Sequence, residues 1–275
     1  MILIDMHVHS TYSDGTFPVE AIVRAAKHRH LSLISLSDHD TTAGILPFML
    51  LCKRYGMEGL SGIELSAEAS YPLHILGFRL DPSDRMLEQR LEEIRKYRNQ
   101  RNNEICRKLQ GLGFDIGIEE VAAFSKGQVV ARPHIARLMM QKGYVSTIPE
   151  AFVKYIGTGG SAYVPRIRLS AEECISLING AGGLAVLAHP AKTYLDEEGT
   201  ETLIKKLKSF GLWGIEALYS GHTPEQSYKY LMLAHKFDLY PTAGSDFHGA
   251  NGPVTDLGIP VSEDFLPWAR LGVKI

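Results

Sequence analysis

Apolar runs of strand length recur along this chain, and almost every one stops at a histidine or a carboxylate. The run at 2–9 ends in His7-Val8-His9, and the run at 31–37 leads into Asp38-His39-Asp40. A third ends at Glu64, and the run at 73–78 carries His74. The run at 184–188 precedes His189-Pro190, and the run at 239–243 precedes Asp246-Phe247-His248. Between them lie helical patterns near 18–30, 43–55, 170–180, 201–210 and 224–237, with a capping box from Ser170 and Glu173. Strand–helix alternation predicts parallel βα units. In a barrel of such units the strand ends open on one mouth, where polar side chains gather.

The rhythm breaks once. Residues 84–112 read as one long, charged helix with a narrow stripe of Leu87, Leu91, Ile94, Ile105, Leu109 and Leu112, ended by Gly111 and Gly113. Short helices follow near 118–124, 133–142 and 148–155. The expected organisation is a barrel from 1–81 and 166–275, with 82–165 as a helical insertion that covers the active site. A chain of 275 residues is long enough for this.

Net charge is −2, so nothing global draws the chain to nucleic acid, and attraction for a phosphorylated substrate must come from the site itself. Cys52, Cys106 and Cys174 are odd in number, widely spaced and far from the His/Asp/Glu set. They read as buried thiols of a reducing compartment. The N-terminus starts as a strand, without a signal-peptide pattern, and no run is long enough to span a bilayer. The expectation is a cytoplasmic protein with no membrane association and no obligate protein partner.

Strict alternation along the first strand puts Asp5, His7 and His9 on one face and Ile4, Met6 and Val8 on the other. A His-x-His pair at a strand end can give two imidazoles to one metal ion. Asp14 sits in a turn close to that pair. Asp38 or Asp40 could orient a ligand imidazole, and Asp40 is also a candidate N-cap. Glu64 has two oxygens and can bridge two cations. Imidazole and carboxylate without thiolate suit Mn, Fe or Zn in a reactive site. Clustered divalent ions generate hydroxide near neutral pH and neutralise a phosphoryl group during displacement.

The order His7-x-His9, Asp14, Asp38-His39, Glu64, His74, Ala188-His189-Pro190 and Asp246-x-His248 resembles the polymerase and histidinol phosphatase (PHP) superfamily over nearly the whole chain. The resemblance implies a distorted (β/α)7 barrel with three metal ions, Mn before Fe or Zn. His7, His9, Glu64 and Asp246 would hold one ion; Glu64, His74 and His189 a second; Asp14, His39 and His248 a third. His39, Glu64 and Asp246 would thereby be catalytic as well, with hydroxide bridging two ions as the nucleophile.

Ala131-Arg132-Pro133-His134-Ile135-Ala136 in the insertion is similar to stand-alone members that hydrolyse 3′,5′-nucleotide bisphosphates such as pAp, some of which trim short RNA from the 5′ end. Arg132 and His134 then read as substrate ligands, the guanidinium fork suiting phosphate. Lys192 could reach a phosphate, and His222 could bind one or protonate the leaving oxygen. The basic residues of the long helix are interleaved with glutamates, which is the pattern of a solvated face. The competing readings are histidinol-phosphate phosphatase, an amidohydrolase, and a non-catalytic domain.

Overall fold

The computed structural model describes residues 1–124, 130–165, 168–251 and 256–273. It divides into two compact units, Met1–Leu91 with Arg168–Ile275, and Glu92–Ile167.

The first unit is α/β. Its strands are β1 (Ile2–Val8), β2 (Leu33–Leu36), β3 (Gly59–Ser66), β4 (His74–Phe78), β5 (Leu184–Leu187), β6 (Gly214–Tyr219), β7 (Tyr240–Gly244) and β8 (Ile259–Val261). They form one sheet in the order β7-β6-β5-β4-β3-β2-β1-β8. The seven-stranded part rolls into a barrel, because Phe247, just past β7, bridges back to Val8. The seam is held by the N–H of His9 donating to Phe247 O at 2.9 Å and the N–H of Phe247 donating to His7 O at 3.3 Å. Helices α1 (Val19–His28), α2 (Ile45–Tyr55), α7 (Ala171–Gly180), α8 (Glu197–Ser209) and α9 (Pro224–Lys236) connect the strands. The capping box of Ser170 and Glu173 is formed.

Two features depart from the simple βα expectation. β4 runs antiparallel to both β3 and β5. The link from β3 to β4 is too short for a crossover helix, so the chain can only fold back. His74, the first residue of β4, pairs with Ser66, the last of β3, and so reaches the mouth from the opposite chain direction. The second departure is a register shift in β1 between Asp5 and Val8. Ile4 and Met6 pack with Leu60, Leu76, Phe78 and Val186 inside the sheet. Val8 instead packs with Val19, Ile22, Phe48 and Cys52 of α1 and α2. The expected single apolar face of β1 is therefore divided, as an irregular extra residue does to any strand. The barrel thus has an apolar floor, with His7 and His9 above it.

The second unit is helical. α3 (Arg85–Gly111) enters it from the first unit, followed by α4 (Ile118–Phe124), α5 (Arg132–Gln141), α6 (Ile148–Ala151) and a π turn at Phe152–Ile156. Ile105, Leu109, Val121, Ile135, Leu138 and Met139 form its core. α3 stops where Gly113 takes φ 87°, with Phe114 N–H returning to Leu109 O at 3.0 Å. The units divide at Leu91/Glu92, a few turns into the helix, not at 81/82 as expected from sequence. The first turns of α3 belong to the barrel unit: Leu87 and Leu91 are buried, Thr42 donates to Glu88 at 3.0 Å and Arg90 to Glu173 at 2.9 Å. Among the described residues no helix is long and apolar enough to cross a membrane.

Candidate metal centre

Glu64 lies at the centre of the barrel mouth and has no solvent exposure. Its position is set by β2 and β3. The N–H of Glu64 donates to Asp38 O at 3.2 Å, and the N–H of Asp40 donates to Glu64 O at 3.0 Å, which places His39 opposite Glu64. Period-two alternation along β3 puts Glu64 above Leu60 of the apolar floor.

Nitrogens of five different imidazoles crowd this one carboxylate. His7 Nε2 and His9 Nε2 lie 3.3 Å from Oε2, and His39 Nδ1 lies 3.0 Å from it. His74 Nδ1 and His189 Nε2 lie 2.8 and 3.1 Å from Oε1. Asp246 Oδ1 adds a second carboxylate, 3.3 Å from His7 Nε2 and 3.2 Å from His9 Nε2. His248 Nε2 lies 3.2 Å from Asp14 Oδ1, and Asp14 Oδ2 is 3.9 Å from His39 Nε2. The rings of His9 and His248 stack with centroids 4.0 Å apart. The structure thus brings together His7, His9, Asp14, His39, Glu64, His74, His189, Asp246 and His248.

Protons alone do not account for this packing. His7 Nε2, both ring nitrogens of His9, His39 Nδ1 and Glu64 Oε2 are buried without a hydrogen bond of acceptable geometry, although buried polar atoms are normally paired. An ionised carboxylate offers about four lone-pair sites, fewer than the five nitrogens around it. Cations satisfy nitrogen and carboxylate lone pairs at once, and the donor set suits divalent ions. Three groups have converging ligand atoms: His7, His9, Glu64 and Asp246; His9, Asp14, His39 and His248; and His39, Glu64 and His74. The first agrees with the set implied by the family resemblance. The others add His9 to the Asp14 set and put His39 with Glu64 and His74, where the resemblance implies His189.

Electrostatics follow the same geometry. Burial opposes charge on His9, yet the carboxylates of Asp246 and Glu64 push its pKa up to about 10. His7 and His39 are raised for like reasons, against burial. Burial would raise the acids of Glu64 and Asp246, but the surrounding imidazoles hold both well below the usual carboxylate range. His74 goes the other way: burial takes it down to about 4, despite Glu64. Without ions, then, the cluster stores protons on some nitrogens and leaves others as lone pairs.

The backbone is bent to aim these groups. Asp40, His189 and Asp246 take φ of 51°, 24° and 58°, a region that costs a non-glycine residue about 1–3 kcal/mol and recurs at functional sites.

Several sequence expectations are corrected. Asp38 touches no ligand imidazole; it accepts from Ser10 N–H at 2.8 Å, Ser10 Oγ at 2.7 Å and Ser13 Oγ at 2.6 Å. It thereby holds the loop that carries Asp14. Asp40 is not an N-cap, since α2 begins after Gly44; it accepts from Ser66 N–H at 3.2 Å. Lys192, read from sequence as able to reach a phosphate, donates from Nζ to Asp246 Oδ2 at 2.5 Å and lies 5.1 Å from the centre of the Tyr219 ring. His222 Nδ1 is 3.1 Å from Ala217 O, so its proton faces that carbonyl, and Nε2 is buried, its ring touching Tyr219 and Tyr230. Burial also lowers its pKa. That environment suits a structural imidazole and not a proton donor.

Within the helical unit, Arg132 opens α5, with its guanidinium 5.6 Å from the Phe152 ring centre and Nη1 donating to Ile156 O at 3.4 Å. His134 is buried in the same first turn, where Nδ1 accepts from Ala131 N–H at 3.1 Å. Two carboxylates beside the centre were given no role from the sequence: Asp5, which was placed only on the histidine face of β1, and Glu216. Asp5 accepts from Ser245 N–H, Ser245 Oγ and Gly258 N–H at 2.9, 2.6 and 2.9 Å, and so ties down the loop before Asp246. The available signal was an acid inside an otherwise apolar strand.

A family model for the PHP domain matches residues 5–158. The chain is 33% identical over 270 residues to a 5′-3′ exoribonuclease of Haemophilus influenzae, across 95% of this chain and 98% of that one. It is 33% identical over 283 residues to a 3′,5′-nucleoside bisphosphate phosphatase of Chromobacterium violaceum, across 100% and 98%. Its fold is similar to a Chromobacterium violaceum structure described as an amidohydrolase with bound sulfate and no metal, with a TM-score of 0.82 and 31% identity over 98% and 95% of the two chains. The chain belongs to the PHP domain family, and fold and site together define a metal-dependent phosphoesterase.

Proposed function

We propose that this protein removes the 3′-phosphate from 3′,5′-nucleoside bisphosphates, using about three divalent ions, Mn before Fe or Zn, held by the nine clustered residues. The observation that carries the reading is the crowding of five imidazoles on Glu64. Full-length similarity to a bisphosphate phosphatase supports the substrate class. Divalent ions in such a site supply a nucleophile near neutral pH and neutralise phosphoryl charge.

The residues of the chain do the positioning. Glu64 divides its oxygens between two sets of imidazoles and so spaces the ions. Asp14 and His248 complete the outer group. Lys192, fixed on Asp246, supplies a cation for phosphoryl oxygens. Arg132 and His134 are assigned to the second phosphate on the chemistry of their motif. Shortening 5′-phosphorylated RNA would break the same O3′–P bond that is broken in the bisphosphate, so RNA trimming is a second activity of one site. An amide has no phosphoryl charge to neutralise and gives the outer Asp14 group no task.

The test is phosphate release by Mn-loaded protein from adenosine 3′,5′-bisphosphate and from histidinol phosphate, with nucleotide release from short 5′-phosphorylated RNA alongside. The bisphosphate is expected to exceed histidinol phosphate in kcat/KM by about 10–100-fold, the worth of a charged contact to the second phosphate. The reverse ranking would assign the site to small phosphomonoesters.

A further inference from the structure

Glu216 is a carboxylate at 1% exposure that the proposed reaction leaves without a task. It sits in β6 and touches two members of the cluster. Oε1 lies 3.0 Å from His7 Nδ1, and Oε2 accepts the backbone N–H of His189 at 2.6 Å. A carboxylate accepts, so His7 must carry its proton on Nδ1. In the neutral ring, the form that binds a metal ion, Nε2 is then the lone pair, and it is the nitrogen that faces Glu64 and Asp246 at 3.3 Å.

The second contact holds His189 where its backbone is bent to a φ of 24°. A third observation comes from β7. A Cβ at Gly244 would lie 2.3 Å from His7 Cβ and 2.6 Å from Glu216 Oε1. Glycine at this position is what lets His7 and Glu216 meet.

We propose that Glu216 is a positioning residue of the metal centre: it fixes the tautomer of His7 and the backbone of His189, so that imidazoles from β1 and from the end of β5 present lone pairs together. Outer carboxylates that orient ligand imidazoles have this effect generally, and losing one weakens metal binding about 10–100-fold. The inference rests on the reading of the cluster as a metal centre.

Glu216→Gln separates the two contacts. Its carbonyl oxygen can still accept from His189 N–H, which pins the amide. The NH2 then faces His7 Nδ1 and donates to it, moving the ring proton to Nε2. The experiment is a Zn2+ titration of chelator-stripped wild type and variant, with 15N spectra of the histidine rings. In the presence of Zn2+, wild-type His7 is expected to carry its one proton on Nδ1, and that of E216Q to carry it on Nε2, with Zn2+ affinity reduced about 10–100-fold while circular dichroism stays unchanged. A role confined to packing would lower the melting temperature and leave the tautomer as it was. Affinity within about twofold of wild type and an unmoved proton overturn the proposal. The spectrum of Zn2+-loaded wild type decides even if E216Q does not fold, because a His7 that binds through Nδ1 and keeps its proton on Nε2 contradicts the proposal outright. Wild type that takes up no Zn2+ would instead sink the metal-centre reading itself.

Discussion

The helical unit encloses Ile105, Leu109, Ile116, Ile135 and Met139, and the barrel unit encloses Asp5, His7, His9, Glu64 and Glu216, all within 1% of full burial. Among the described residues of the helical unit, the buried polar ones are Arg101, Asn102 and His134. The two interiors answer to different physics. Each buried aliphatic or aromatic side chain stabilises by about 1.5–3 kcal/mol through removal from water. A buried charge is costly unless paired or bound to metal. Thirteen buried apolar residues make up the helical core, with partly buried ones such as Phe114 and Tyr155 packed against them. The imidazoles and carboxylates of the barrel mouth oppose folding unless protons or cations join them.

The comparison breaks most visibly at Glu64. Glu64→Gln keeps the shape and removes the charge that five imidazoles share, so phosphate release should fall by more than about 10³-fold, beyond the loss of a single oriented dipole in an active site. Metal content of the variant checks that the loss lies in ion binding. Ile135→Ala in the helical unit is the counterpart. It should cost about 2–5 kcal/mol by calorimetry and leave the ions bound per chain unchanged. If it empties the centre, the two interiors are not independent.

Arg132→Ala sharpens the assignment of the second phosphate. KM for adenosine 3′,5′-bisphosphate should rise about 10–100-fold with kcat little changed, since the contact serves ground state and transition state alike. An unchanged kcat/KM would remove Arg132 from the substrate site.

The course of β1–β3, the helical insertion and the gathering of nine ligand-type residues were legible in the sequence because apolar runs stop at His9, His39, Glu64 and His189. The reversal of β4 was not, since a short link between strands reads alike for either direction. The irregularity between Asp5 and Val8 was hidden too: strict alternation is the only periodicity a seven-residue strand displays. The roles of Glu216 and Asp5 were not legible because they depend on partners far along the chain, His7 and Ser245 respectively. The pairing of Lys192 with Asp246 was hidden for the same reason, since Asp246 lies on another strand end.

Acidity offers a subtler separation. The pKa of His9 rises from 6.5 to about 10 in the folded, ion-free protein. A raised pKa contributes stability that is complete below the unfolded value and is lost as pH climbs through the folded one. Ion-free protein should therefore lose stability between about pH 6.5 and 10, and Mn2+ should restore it there. Cations must also displace these protons, so uptake at pH 7 should release protons into a weakly buffered indicator and tighten with rising pH. Pure packing of the helical kind predicts neither. The smallest effect concerns the thiols. Burial pushes Cys52 up to about 12 and Cys106 up to about 11, so one thiol in each unit should stay unreactive toward a disulfide reagent at pH 8 until the protein unfolds.

The most direct test of the central claim is to strip the protein with a chelator, return Mn2+ stepwise, and follow phosphate release from adenosine 3′,5′-bisphosphate against ions bound per chain. The account predicts no release from the stripped protein and full activity only as the cluster fills toward about three ions. Stripped protein that is as active as the loaded form would contradict it.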